Sequence, residues 1–197
     1  MEEKKKIRIA FNAPVTLGFV GLCVVVHLLN RLTGGASSYA VFSVYRSSLL
    51  SPMTWLRCFC HVLGHMDWGH LINNMIYILL LGPMLEEKYG SKNMLFVMLA
   101  TAFVTGILNM LVSPYTMVMG ASGIVFAFIL LASITGRTEQ GTIPLSFILA
   151  VVLYIGGQIY DGLFSLDNIS QLSHIVGGAL GSVLGFAMNR RKMRREP

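Results

Sequence analysis

Six long runs of mostly apolar residues dominate this chain, and they limit what it can fold into more than any other feature. The runs are about Pro14–Leu29, Trp68–Glu86, Met94–Val112, Gly120–Thr135, Ile143–Tyr160 and Leu172–Asn189. A helix needs about 20 apolar residues to cross the hydrocarbon core of a bilayer. Charged residues make up only 12% of the sequence, about half the share usual in soluble domains. Lipid is therefore the expected solvent, and every backbone polar group at membrane depth must find its partner within the protein. The expected fold is all-α: a polytopic membrane protein built as a six-helix bundle.

The basic residues orient that bundle. Nine of the fifteen Lys and Arg residues lie at the ends: Lys4, Lys5, Lys6 and Arg8, then Arg190, Arg191, Lys192, Arg194 and Arg195. With six spans, one side of the membrane holds these together with Lys88, Lys92 and Arg137, which makes twelve. The other side holds Arg31, Arg46 and Arg57. The excess of Lys and Arg in cytoplasmic loops puts both termini in the cytoplasm of a multi-pass cell-membrane protein. The expected divisions are a basic cytoplasmic segment 1–13, a membrane domain 14–189 and a basic cytoplasmic tail 190–197. The first run has no small-x-small cleavage site and reads as a retained span. The net charge of +6 sits beside apolar segments, where it suits anionic lipid. It forms no basic stripe with interleaved aromatics, so nucleic acid is not an expected partner. Three cysteines, Cys23, Cys58 and Cys60, do not make a disulfide framework.

Polar groups at membrane depth are costly, so each is a functional candidate. The first set is Gly120-Ala121-Ser122-Gly123, at the start of the fourth run. Gly, Ala and Ser are common where membrane helices pack. A serine between glycines at a helix N-terminus also suits a nucleophile, because the helix end presents N–H groups and positive potential to a developing oxyanion. The second is His174, at the outer end of the sixth run. Gly177, Gly181 and Gly185 follow it on one helix face, a smooth stripe that lets backbones approach closely. If that face packs on the fourth helix, His174 reaches Ser122 as the base a serine hydroxyl requires. The third set is His70 and Asn74, four residues apart on one face and able to donate hydrogen bonds. His61 and His65, with Cys58 and Cys60 nearby, could be half of a zinc site. However, Val62 stands where an H-E-x-x-H helix has its glutamate.

In combination these residues resemble the rhomboid family of intramembrane serine proteases. The resemblance covers about Trp55 to Phe186. It rests on His70-x-x-x-Asn74, Glu86-x-x-x-Gly90, Gly120-x-Ser122-Gly123, His174 with its glycine stripe, and a long outer loop carrying Trp55 and Arg57. It implies a six-helix rhomboid fold with its site in a water-filled cavity open to the extracytoplasmic side. In this reading Ser122 is the nucleophile and His174 the general base and acid, while His70, Asn74 and the Ser122 N–H hold the oxyanion. Gly120, Gly123, Phe126, Gly177 and Gly181 support the site. The implied substrates are single-span membrane proteins cut within the bilayer, with no cofactor and no metal. The alternative is a non-catalytic rhomboid-like binder of membrane proteins. Two positions depart from the family pattern. Phe126 stands where a tyrosine commonly stacks on the catalytic histidine, and Leu56 separates a Trp-Arg pair that is usually adjacent. Asp161 and Asp167 match no catalytic position, which leaves a Ser–His dyad.

Overall fold

The structure of the protein is a computed structural model. It describes residues 11–112 and 116–135, with helical positions 145, 148, 149, 152, 153, 156, 177–181, 183, 184 and 187. The ordered elements are α1 (Pro14–Leu32), α2 (Ala36–Ala40), α3 (Pro52–Cys60), a 3-10 turn (His61–Leu63), α4 (Trp68–Tyr89), α5 (Ser91–Val112) and α6 (Ser122–Thr135). Helices α1, α4, α5 and α6 occupy the first four expected spans. The fifth and sixth, 143–160 and 172–189, lie largely outside the described residues.

The surfaces of these helices suit lipid. By length and apolarity, α1 and α5 can each cross a bilayer. Outward-facing Val25, Leu28, Leu29, Ile72, Ile76, Leu80, Leu95 and Phe96 are exposed, a covering that water would penalise and acyl chains would not. Buried inside are Ile78, Leu85, Met94, Ile124, Phe128 and Leu131, one core drawn from α4, α5 and α6. Helix α6 is central. From Ser122 to Ala132 every side chain except Leu130 is buried, as befits a helix that is apolar on all sides.

At one end of the bundle, α1 begins with Pro14 and has no side-chain cap of its own. The open N–H groups of its first turn are met by a carboxylate from another helix. Glu86 Oε1 accepts from the Val15 N–H at 3.0 Å, and Oε2 accepts from the Thr16 N–H and hydroxyl, both at 2.8 Å. A negative charge at a helix N-terminus also suits the helix dipole.

At the other end, the long connection between α1 and α4 is built rather than loose. Helix α3 lies along α5, with Trp55 and Phe59 stacked on Phe103. The Arg57 guanidinium sits 4.5 Å from the centre of the Tyr45 ring and donates to the Ala40 carbonyl at 3.0 Å. Leu49, Leu50, Met53 and Leu56 are exposed, a surface that lipid would cover at little cost. This connection also grips the strand that leads into α6. Val44 and Val118 exchange two backbone hydrogen bonds of 2.9 Å.

Candidate active site

The site begins with the way α4 starts. Asp67 caps the helix, its Oδ1 accepting from the His70 N–H at 2.8 Å. The capping fixes the first turn, and one turn later Asn74 is on the same face as His70. Asn74 is buried, and its Nδ2 has no hydrogen-bond partner among the described residues. Leaving a buried amide donor unmade costs about 1–3 kcal/mol; six other buried side-chain polar atoms among the described residues, His27 Nε2 and Thr101 Oγ1 among them, share this state.

Gly120 lies directly against these two side chains. Its φ of 132° is a conformation that side-chain-bearing residues rarely adopt. A Cβ there would also come within 2.6 Å of His70 Cε1 and 2.7 Å of Nε2, with Asn74 Nδ2 at 3.8 Å. Glycine is therefore required twice, by backbone conformation and by space. The next residue, Ala121, accepts the first hydrogen bond of α6 from Val125 at 2.9 Å, and Ser122, buried, opens the helix. The structure thus brings His70, Asn74, Gly120 and Ser122 together. Gly123 faces α5, where a Cβ would lie 3.2 Å from the Thr105 methyl.

Two more histidines hold the turn before Ser122. The Gly120 N–H donates to the His61 carbonyl at 2.9 Å, and the Ala121 N–H donates to His65 Nε2 at 3.4 Å. Both rings are buried. Burial pushes the His61 imidazole down to about 4, against the opposing pull of the Arg57 and Cys58 carbonyls. Burial pushes His65 down to about 3. Neighbouring His70 and His27 act the same way, while the Leu63 carbonyl and Asp67 oppose it. The ring nitrogens of both are engaged by protein: His61 with the Arg57 carbonyl and the Thr105 hydroxyl, His65 with the Leu63 carbonyl and the Ala121 N–H. No lone pair on this pair is left pointing at a metal.

His174 and Gly185 lie outside the described residues, but three glycines between them are described. A Cβ on Gly177 would overlap the Thr105 methyl, one on Gly178 the Phe126 ring, and one on Gly181 the Ala127 side chain. The glycine face expected to pack on α6 therefore meets it at Gly181, while Gly177 turns to α5. Gly178, outside the stripe, seats Phe126.

Residues 52–191 match the family profile described as the Rhomboid domain. The chain belongs to the rhomboid family. Rhomboids are multi-pass membrane proteins, which agrees with the lipid-suited surfaces of α1, α4 and α5. Among curated relatives it is similar to the rhomboid protease GlpG of Serratia proteamaculans, 27% identical over 93% of this chain and 66% of that protein. It is also similar to GlpG of Yersinia pestis, 25% identical over 92% of this chain and 65% of the relative. The rhomboid protease GluP of Bacillus subtilis is 26% identical over 94% of this chain and 38% of its own length. The chain thus spans about two thirds or less of the rhomboids it matches.

One residue near the site went unnoticed in the sequence. His27, in the middle of α1, is buried with its Nδ1 3.2 Å from the His65 carbonyl and its ring edge-on to Trp68 at 4.5 Å. The available signal was a lone ionisable group inside the first apolar run.

Proposed function

We propose that this rhomboid is an intramembrane serine endopeptidase that cleaves transmembrane segments of single-span membrane proteins with a Ser122–His174 dyad. The observation that carries the reading is the packing of His70 and the buried Asn74 amide against Gly120, a left-handed glycine two residues before Ser122. A tetrahedral oxyanion is the ligand that side-chain and helix-end donors placed there would complete best.

In this mechanism Ser122 Oγ attacks the scissile carbonyl while His174 takes its proton, then returns it to the leaving amine. The Asn74 amide, the His70 ring and the Ser122 N–H stabilise the negative oxygen. Water then releases the acyl group by the same route in reverse. The glycine contacts at 177, 178 and 181 support the pairing, because His174 precedes Gly177 by three residues on a segment that lies close against α5 and α6. Six spans, cytoplasmic termini and a site facing the extracytoplasmic side complete the topology.

The test is cleavage of a single-span substrate by the full chain in proteoliposomes. Ser122→Ala and His174→Ala should each abolish product while the protein remains folded. Product formed at the wild-type rate by Ser122→Ala would reject the reading.

A further inference from the structure

The mechanism leaves one group beside the site unused, His65. Its two hydrogen bonds have partners of fixed polarity. The Leu63 carbonyl, 3.2 Å from Nδ1, can only accept, and the Ala121 N–H, 3.4 Å from Nε2, can only donate. The ring must therefore carry its proton on Nδ1 and offer a lone pair at Nε2. On its other side the same ring stands edge-on to His70, with centroids 5.1 Å apart. One imidazole thus meets both the backbone just before Ser122 and the ring expected to donate to the oxyanion. The charged and titratable groups facing it are His27 from α1, and Asp67 and His70 from the start of α4.

We infer that His65, as the neutral Nδ1–H tautomer, is a positioning residue that sets the distance between the Ser122 amide and the His70–Asn74 pair. The inference rests on the protease reading and adds to it a residue that never meets substrate. A proton on Nε2, or a side chain with no acceptor there, would release the Ala121 amide and let the turn drift. Drifts of about 1 Å in a catalytic arrangement can cost roughly a hundredfold in rate. The loss belongs in kcat, since the pocket acts on the transition state more than on bound substrate.

The test compares His65→Leu, which has no acceptor, with His65→Gln, whose side-chain oxygen can reach the Nε2 position. Both are assayed as full-length protein in proteoliposomes for kcat and KM and for the rate of Ser122 labelling by a fluorophosphonate. His65→Leu should lower kcat and labelling roughly tenfold to a hundredfold with little change in KM, and His65→Gln should recover most of the loss. Equal kcat in the two variants, or a loss confined to KM, would overturn the inference. If His65→Leu does not fold, nitrogen NMR of histidine-labelled wild type decides. A neutral ring protonated on Nδ1 at pH 7 is expected, and a proton on Nε2 would contradict it. Labelling that persists in Ser122→Ala would sink the protease reading itself. Labelling lost in Ser122→Ala but unchanged in His65→Leu would sink only the role of His65.

Discussion

The two ends of α4 carry buried polar side chains that are treated in opposite ways. Near one end Glu86 is buried and accepts three hydrogen bonds from α1. Near the other end Asn74 is equally buried, and its amide meets no acceptor among the described residues. Both cost free energy to remove from water. The first group recovers that cost inside the fold, so its work is structural. The second does not among the described residues, and it lies beside the turn that delivers Ser122. One helix thus shows one polar contact completed within the described residues and one that is not, and the proposed function assigns the second to substrate.

The sharpest way to break this contrast is Asn74→Ala. Loss of an oxyanion donor should lower kcat by about 100- to 1,000-fold, while Tm stays level or rises because an unsatisfied buried donor has gone. A fall in Tm with full activity would reverse the assignment. Glu86→Gln should do the opposite, costing about 1.5–3 kcal/mol of stability through weakened charge-assisted bonds. It should leave the rate constant of the folded fraction near wild type. Thermal unfolding and active-site titration in the same detergent would separate the two effects.

A smaller effect concerns pH. His61 and His65 are held neutral, with folded values of about 4 and about 3 against 6.5 when unfolded. Groups depressed in this way contribute stability that is whole above pH 6.5 and is lost as the pH falls toward those folded values, because the unfolded chain binds the protons first. Tm should therefore decline on acidification below pH 6.5, and His65→Gln should flatten the decline. The smallest effect is expected from Phe126→Tyr. The ring is buried against Gly178, so an added hydroxyl should change kcat by no more than a few-fold, within the usual cost of a tolerated core change.

Much of this was legible in the sequence, and the limits have physical causes. Four apolar runs became helices that start close to where expected, and among the described helices α1 and α5 are long and apolar enough to cross a bilayer. His70 and Asn74 lie against Gly120, two residues before Ser122. The outer connection read only as long and aromatic, since α2 and α3 are too short to show a clear period. Glu86 joining α1 across 70 residues, and His65 joining Ala121 across 56, depend on where helices sit rather than on any local pattern. His61 and His65 looked like metal ligands because spacing shows which side chains are near one another, but not which backbone groups they meet. The fifth and sixth expected spans and His174 lie largely outside the described residues, and the glycine contacts at 177, 178 and 181 are what bears on them.

Mapping the adduct of a fluorophosphonate on the full-length protein in lipid tests the central claim most directly. Peptide mass spectrometry should find a single modified residue, Ser122, with no adduct there in His174→Ala. A wild-type protein that takes up no label, or takes it at another serine with Ser122 untouched, would contradict the account.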